Sequence, residues 1–595
     1  MKKRNYRKVL LIFPPVRIGK PFIMPPLGVT YLASVIRDKY KVHILDAYIE
    51  GYYQSVPMDK YFIQTGLSYE KIEEEIVRVS PDVVGITTLY SSQWPVVTEI
   101  MKRVKKIDPD IITVTGGTHP SFLIRECMKD KNLDFIIIGE GEYSFRDLLD
   151  TLNCGGKLNK IDGLAYRKNN AVYINPKQKY IEDLDELPIP ARELLPLKRY
   201  FEIKGVPAAS VITSRGCLNN CIFCSSVIFW GKRWRPRSPK KVVDEIEYLH
   251  KRHNIVEIYF EDDNLLFDIK RAKEIFRGII NRHLGISWMT PNGIFPQKLD
   301  DELIYLMKKS GCRDLTFAIE SGSERVRNSI IKKKIDLKEI KKTIKDTKKA
   351  GIFASAFFII GFPGERKEDI LETIKLATSS LFDFSHIFIA TPLPGTRLYQ
   401  KMKSLRMLNK KFSFDNAGYN IENIFFPSLK KGDLSLIKSE VGKYFDKSTY
   451  KPKEDILYEN SINRLLQKGD FSLESLIKTI KIEKSKQILD DILAIQYLMK
   501  EIKMSLQGMI TIWIDWLGED ICLLAPSAIA SVRRELLKEK IKGFIEYLCK
   551  EKNADPNFYN TLAQKQLRKE DNQCRRDQNL TQRLHGLNLT QNKQY

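Results

Sequence analysis

Cysteine is scarce in this chain of 595 residues: there are nine, and six of them (Cys127, Cys154, Cys312, Cys522, Cys549 and Cys574) stand alone. That scatter excludes a disulfide framework of the kind that staples small secreted domains. Long apolar runs are missing too. A membrane helix needs roughly 18 apolar residues in succession. The nearest stretch, MITIWIDWLGEDICLLAPSAIA, is broken by Asp515, Glu519 and Asp520. At the start, the apolar run VLLIF is five residues long, meets Pro14-Pro15 and has no small-residue cleavage site, so it does not read as a signal peptide. These absences imply a cytoplasmic protein.

What is present is the composition of a large globular protein. Hydrophobic residues make up 43% and charged residues 29%, and 595 residues are too many for one ordinary domain. The net charge is +24. Much of it lies in segments such as residues 331–350, with nine lysines and three acids. Ile340, Ile344 and Thr347 fall on one helical face there, so the lysines read as the wet side of an amphipathic helix. A surface for nucleic acid, an anionic membrane or an acidic substrate is the lesser alternative.

Strand and helix patterns alternate from the start. KVLLIF (8–13), KVHILDA (41–47), VVGITTLYSS (83–92), IITVTGG (111–117) and FIIIGEGE (135–142) read as strands with helical periodicity between them. Continuous apolar strands in β/α alternation imply a doubly wound, Rossmann-like parallel sheet that binds its ligand at the strand C-ends. Those ends carry Pro14-Pro15, Thr87-Thr88, Gly116-Gly117 and Gly139-Glu140-Gly141-Glu142. The expected order is an α/β domain over 1–150, then a hairpin turning at Lys168-Asn169-Asn170 and a proline-marked linker over 151–200. A partial (β/α)6 barrel over 201–430, a helical region over 431–560 and a polar, disordered tail over 561–595 follow. The barrel rests on six strands: ASVITSRG, IVEIYFEDD, ISWMTPNG, DLTFAIESG, SAFFIIGFPGE and HIFIATPLPGT.

The remaining three cysteines sit together. Cys217, Cys221 and Cys224 lie in RGCLNNCIFCSS, directly after the first barrel strand. A C-x3-C-x2-C spacing can wrap three thiolates round one corner of a metal centre. A structural zinc site wants four ligands, and the nearby His250 and His253 lie in a helical pattern that reads as surface. An Fe4S4 cluster on three thiolates leaves one iron open for a reacting ligand. Zinc, or cysteines that simply pack in the core, remain alternatives.

With this motif the chain resembles the radical S-adenosylmethionine enzymes. The resemblance implies an Fe4S4 cluster on Cys217, Cys221 and Cys224 whose open iron binds S-adenosylmethionine and cleaves it reductively to a 5′-deoxyadenosyl radical. It further implies that Phe223 packs near the adenine and that Glu261 and Asp262 in YFEDD meet the methionine amino group. Glu320 and Ser321 would reach the ribose and carboxylate, and Gly361 and Gly364 in GFPGE would form the adenine-side turn. Alone, GFPGE is turn chemistry and EDD a strand end or helix cap. In this order after the cysteines they are specific.

Residues 8–150 resemble the cobalamin-binding domain that precedes many such barrels, through FPPVRIG, PPLGVTYLAS, ILDA, GGTHP and GEGE. The classical cobalamin fold has an Asp-x-His-x-x-Gly loop whose histidine ligates cobalt. Here Val16 stands at that position beside Arg17, and neither can ligate a metal. The resemblance implies cobalamin held without a protein histidine, its nucleotide tail against Thr87, Leu89, Gly116 and Gly117, where paired glycines allow a close approach. His119 reads as a loop residue touching that tail. An ordinary doubly wound domain without a corrinoid is the alternative.

Together these readings point to a B12-dependent radical enzyme that methylates an unactivated carbon of a small-molecule or biosynthetic intermediate, with a flavodoxin or ferredoxin as electron donor. Radical cyclisation, oxidation or rearrangement without methyl transfer is the close alternative. RNA methylthiolation ranks lower, because its enzymes carry three further N-terminal cysteines and only Cys127 and Cys154 precede the motif here. A corrinoid-binding sensor or carrier ranks lowest, because the barrel would then have no task. Nucleic acid is not an expected partner, contact with a membrane surface stays open, and no residue is read as a catalytic acid or base.

Overall fold

The computed structural model describes residues 6–17, 23–58, 62–416 and 432–447. The chain divides into two compact units, Met1–Ser439 and Glu440–Tyr595, and both large sheets lie in the first. Of the expected helical region only the helix Asp433–Lys447 is described; the rest of it and the tail 561–595 lie outside the described residues.

Ten strands are described up to residue 175: β1 (Lys8–Phe13), β2 (Val16–Arg17), β3 (Lys41–Asp46), β4 (Ser55–Pro57), β5 (Ile63–Thr65), β6 (Val83–Thr87), β7 (Ile112–Gly116), β8 (Phe135–Ile137), β9 (Leu164–Lys168) and β10 (Ala171–Asn175). Strands β3, β1, β6, β7 and β8 pair in parallel in that order. Alternate residues feed two cores, Leu10, Ile12, Val84 and Ile86 on one face and Val9, Leu11, Val83 and Val114 on the other. Burial on both faces is why these strands read as unbroken apolar runs. The hairpin β9–β10 extends the same sheet antiparallel at its β8 edge. It turns at Asn169-Asn170, whose φ values of 49° and 60° suit a two-residue type I′ turn. Because β1 lies between β3 and β6, the connections leave it on opposite sides, and the crevice above Phe13 and Thr87 is the topological switch point. Strands β2, β5 and β4 form a separate small antiparallel sheet.

The second series comprises β11 (Ala208–Val211), β12 (Ser214–Arg215), β13 (Arg235–Pro236), β14 (Glu257–Phe260), β15 (Ser287–Met289), β16 (Cys312–Glu320), β17 (Phe353–Ile360) and β18 (Phe384–Ile389). Strands β11, β14, β15, β16, β17 and β18 pair in sequence, all parallel, giving the expected open six-stranded barrel. Five of its helices start on side-chain caps: Ser238, Asp268, Asp300, Asp336 and Thr396 each accept a backbone N–H from two or three residues on. The lysine-rich helix Leu337–Lys349 buries Ile340, Thr343, Ile344 and Thr347 and exposes most of its lysines. Strand β16 ends on a register shift, and Glu320 there takes φ +72°, a constrained conformation for a residue with a Cβ. Among the described residues no helix is long and apolar enough to cross a membrane.

Candidate cluster and cofactor site

The cysteine loop leaves β12 through Gly216, whose φ is +87° and whose position would bring a Cβ to 2.2 Å from the Arg233 carbonyl oxygen. Only glycine fits there. The loop is tied to its surroundings by backbone bonds. Ile222 N donates to Ile331 O (3.1 Å), and Leu398 N donates to Ile222 O (2.8 Å). Asn219 donates to Cys217 Sγ through its backbone N (3.5 Å) and its Nδ2 (3.3 Å), and Ser226 N donates to Cys224 Sγ (3.4 Å). All three cysteines are half-buried. Burial pushes the Cys221 thiol up to about 11 and the Cys224 thiol up to about 12, and raises Cys217. Thiols so disposed ionise when cations are bound. Among the described residues no three Cys, His, Asp or Glu side chains converge as a single ion requires. Cys217 nonetheless raises the pKa of Cys221, and both raise that of Cys224, so the three sulfurs lie within electrostatic reach of each other. That spread fits a polynuclear cluster, whose corners take one thiolate each.

Beside the loop, Lys333 Nζ donates to Glu320 Oε1 and to Ala318 O, both at 2.7 Å, and both charged side chains are 6% exposed. Burial acts to lower the Lys333 pKa, but the Glu320 carboxylate and the Cys221 sulfur overcome it and hold the ammonium above its ordinary value. The linear pattern places Lys333 on a wet face; the structure places it inside. Phe223 lies 6.0 Å from Phe362, ring to ring. Gly361 and Gly364 take φ values of 93° and 86°. Glu365 pins that turn, accepting from Gly361 N (2.6 Å) and Phe362 N (2.9 Å), and burial pushes its carboxyl up to about 8.

The expected adenosylmethionine residues divide into two groups. Glu261, the residue after β14, is half-buried, accepts from Ser210 Oγ (3.1 Å), and is pushed up to about 7 by burial. Asp262, next to it, is 2% exposed and accepts from Thr213 N (3.1 Å), Thr213 Oγ1 (2.7 Å) and Ser214 Oγ (2.5 Å). Its carboxylate holds the approach to the cysteine loop, in place of the expected contact with an amino group. Ser321 likewise bonds Thr373 Oγ1 (2.9 Å) and accepts from Ser323 N (3.2 Å), with no face left exposed.

After β1, Val16 and Arg17 form β2 of the small antiparallel sheet instead of a free loop. Val16 is 1% exposed, and the Arg17 guanidinium lies over the Phe62 ring at 5.3 Å. Thr87 ends β6, Thr88 is buried against Thr115 (Oγ1 to Oγ1, 3.0 Å), and Leu89 is 48% exposed. Gly116 ends β7. A Cβ at Gly117 would meet the Thr88 carbonyl oxygen at 2.6 Å, so this glycine lets two loops touch and does not open a cradle for a ring. His119 is not in a loop: it sits in the short helix Thr118–Phe122, 3% exposed, stacked on Trp94 at 5.2 Å, and burial pushes it down to about 4. A fit to a polar ligand comes from orphaned atoms. Among the described residues, Arg17 Nε, Tyr48 Oη, Gln64 Oε1, Gln93 Nε2 and His119 Nδ1 are buried without a hydrogen-bond partner, and Arg17, Tyr48, Gln93 and His119 follow the C-ends of β1, β3, β6 and β7. A corrin edge, rich in amide donors and acceptors, suits them.

Neither Glu140 nor Glu142 is the ligand loop that the GEGE motif predicts. Arg215, two residues before Cys217, pairs with Glu140 (2.9 Å) and Glu142 (2.6 Å), and Arg235 also pairs with Glu140 (2.8 Å). Ile181 N donates to Glu140 Oε2 (3.0 Å). The Arg215 guanidinium lies 5.1 Å from the Tyr31 ring and 5.3 Å from the Trp230 ring. This buried lock ties the end of β8 to the strand that carries the cysteine loop. Tyr90, after β6, stands near the barrel's Glu261: desolvation, then that carboxylate, raise its hydroxyl pKa.

Residues 17–149 match the B12 binding domain family, and residues 211–377 match the radical SAM superfamily. The chain is 37% identical over 401 residues to an uncharacterized methyltransferase of Pyrococcus horikoshii, covering 66% of this chain and 82% of that protein. It is 33% identical to the cytidylyl-2-hydroxyethylphosphonate methyltransferase of Streptomyces wedmorensis (72% and 88% covered) and 29% identical to the anaerobic magnesium-protoporphyrin IX monomethyl ester cyclase of Rubrivivax gelatinosus (72% and 75%). Among solved structures it is similar in fold to the methyltransferase TsrM of Kitasatospora setae with cobalamin and a [4Fe-4S] cluster bound (TM-score 0.56, 18% identity, 67% of this chain and 75% of that one). It is similar in fold also to OxsB with aqua-cobalamin and S-adenosylmethionine bound (TM-score 0.59, 16% identity, 94% and 84%).

Proposed function

The chain belongs to the cobalamin-dependent radical S-adenosylmethionine enzymes, and from that premise we propose that it methylates an unactivated carbon of a small-molecule or biosynthetic intermediate in the cytoplasm. The observation that carries the proposal is the meeting of the two sheet edges, through the Glu140–Arg215–Glu142 lock and through Tyr90 beside Glu261. A corrinoid above the first switch point and a cluster on the cysteine loop then share one chamber. When bound, the cluster supplies the electron that cleaves S-adenosylmethionine and the corrinoid supplies the methyl group.

In this reading Cys217, Cys221 and Cys224 hold the cluster. Phe223 offers the adenine an aromatic face, and Gly361 and Gly364 shape the turn beside it, with Glu365 keeping that turn rigid. Glu261 accepts from the methionine amino group, and Glu320, oriented by Lys333, reaches the ribose. Asp262 and Ser321 keep those strand ends in place. Arg17, Thr87, Leu89 and Gly116 border the corrinoid, with Val16 packed behind them and Gly117 joining the two loops. A flavodoxin or ferredoxin delivers the electron.

Likeness to a cyclase supports a second reading, radical ring closure by the same residues without methyl transfer. Anaerobically reconstituted protein with cobalamin, reductant and S-adenosylmethionine separates the two. Methyl transfer predicts 5′-deoxyadenosine and S-adenosylhomocysteine together, and loss of the second alone when cobalamin is omitted. Formation of 5′-deoxyadenosine alone, with or without cobalamin, favours the cyclase reading. Iron-loaded protein that forms neither product sinks both, and full iron retention after Cys217→Ala, Cys221→Ala and Cys224→Ala together sinks the cluster assignment.

A further inference from the structure

We infer that the rim of exposed basic side chains around the cysteine loop is the docking surface for an acidic one-electron carrier protein, one with a low-potential flavin or iron–sulfur centre. This rests on the enzyme reading above and names where its electron enters.

Three segments pack against the loop, and each carries exposed cations. Ahead of Cys217, Gly216 lies so close to Arg233 O that a Cβ would meet it at 2.2 Å, and the neighbouring Lys232 is exposed. Between Cys217 and Cys221, Asn220 O accepts from the Arg397 guanidinium at the start of the helix Arg397–Ser404, and Lys401 stands one turn further along that helix. After Cys221, Ile222 N donates to Ile331 O (3.1 Å), and Ile222 O accepts from Leu398 N (2.8 Å). The alternation that turns Lys333 inward there turns Lys332 and Lys334 outward. Lys232, Lys332, Lys334, Arg397 and Lys401 are all exposed, and none has an ion pair among the described residues. Acids beside these segments are engaged: Glu182 with Arg233, Asp369 with Arg325, Asp263 with Gly216 N (3.2 Å), and Asp336 with Lys338 N (2.8 Å) as a helix cap. From 397 to 411 the chain holds six basic residues and no acid. A merely solvated face mixes both signs; this one converges on a single loop and does not.

Apolar side chains stand out beside these cations. Leu218, 43% exposed, sits on the loop itself, and Ile228, 45% exposed, lies on the short helix Ser226–Phe229, whose Ser226 N donates to Cys224 Sγ (3.4 Å). Apolar contact within a polar rim is the anatomy of a protein interface. A single-stranded nucleic acid would call for aromatic faces on which bases stack, and no exposed aromatic side chain stands on these segments. A carrier seated on the tip has only the loop between its own centre and the proposed cluster. One electron then passes from the reduced carrier to the cluster: the carrier is oxidised by one electron, the cluster is reduced by one, and no covalent bond between them is made or broken. A positive rim raises the encounter rate of such a negatively charged protein.

Stopped-flow reduction of full-length, iron-loaded protein tests the surface, with reduced flavodoxin and reduced plant-type ferredoxin as the carriers. Photoreduced 5-deazaflavin, too small to need a docking surface, is the control reductant. Lys332→Glu, Lys334→Glu and Lys401→Glu together should slow reduction by the faster carrier roughly tenfold, and added salt should slow the wild type towards the same rate. The deazaflavin should reduce both proteins equally fast. The same reversal at Lys341, Lys342 and Lys345, exposed on the helix Leu337–Lys349, changes the net charge by as much and should cost no more than about twofold. Calorimetry with the oxidised carrier should show a matching loss of affinity, roughly tenfold, in the rim variant alone. The docking surface is overturned if the rim variant keeps the wild-type rate, if the two reversals slow reduction equally, or if the rim reversal abolishes binding of poly(U) RNA and leaves reduction by the carriers unchanged. Wild-type protein that takes up no iron would instead sink the reading on which this one rests.

Discussion

Lys333 is a residue that its neighbours conceal. In Lys332-Lys333-Lys334 nothing local says which ammonium is inside, yet Lys333 alone is buried, on Glu320. The cue is the alternation Ile331, Lys333, Ile335, all buried, with Lys332 and Lys334 exposed. The cysteines were legible because no other residue type offers thiolates at that spacing. Glu261 and Asp262 could not be told apart, because adjacent side chains at a strand end point to opposite sides and only Thr213 and Ser214, far from them in sequence, decide which is consumed. Lys333→Met strands the Glu320 carboxylate and should destabilise the protein by about 3–5 kcal/mol; adding Glu320→Gln should restore most of that loss in urea titrations. Glu365 gives a pH test. Its folded pKa, about 8, exceeds its ordinary 4.5, so its contribution to stability is full below the lower value and is lost as pH rises through the higher one. Glu365→Gln should flatten the decline of the urea midpoint between about pH 5 and pH 8. A variant that declines in parallel with wild type would show that this carboxyl ionises freely.

Elements were legible where their cause is local. The five parallel strands of the first sheet and the six of the barrel announce themselves by apolar runs ending in Gly, Pro or acidic residues, and the hairpin by Asn169-Asn170. Its membership of the first sheet did not show, because the pairing of β9 with β8 is set by packing and not by the turn. Strand β2, two residues long, has no period to read. The GEGE loop was legible as a strand end but not as a lock, since Arg215 lies 75 residues beyond Glu140. Arg215→Met leaves the Glu142 carboxylate buried without its cation. It should cost about 3–5 kcal/mol and loosen the cysteine loop, seen as lower iron retention and faster proteolysis between the two sheets. Glu142→Gln should do less, because the remaining amide can still accept from Arg215 and Glu140 keeps both its arginines. Equal iron retention in wild type and Arg215→Met would show that the lock carries no strain to the loop.

At the scale of the molecule, the state of a corrinoid held at the C-terminal edge of the first sheet follows from what that edge contains. Only two histidines, His43 and His119, precede residue 200. His43 is a mid-strand residue of β3, paired in register with Leu10, too far down the sheet to reach its C-terminal edge. His119 stands at the right edge but is 3% exposed and held under Trp94. Val16, the residue expected from the sequence at the place of the classical histidine, is 1% exposed, in a core cluster with Phe13, Tyr48, Ile49 and Tyr200. A histidine there would have to leave that core to reach a metal, so Val16→His should lower stability, by roughly 1–3 kcal/mol for a polar ring forced into an apolar site, without adding a ligand. With no protein imidazole in reach, and with the nucleotide tail held against the sheet and off the cobalt as proposed, cob(II)alamin bound to the wild-type protein should give an electron paramagnetic resonance spectrum without nitrogen superhyperfine splitting. His119→Ala should leave that spectrum unchanged while weakening retention of the cofactor, because Trp94 loses its partner. Splitting in the wild type that vanishes in His119→Ala would mean that this imidazole swings out from Trp94 to bind cobalt, and that the orphaned Nδ1 marks an axial ligand and not a contact to the corrin edge.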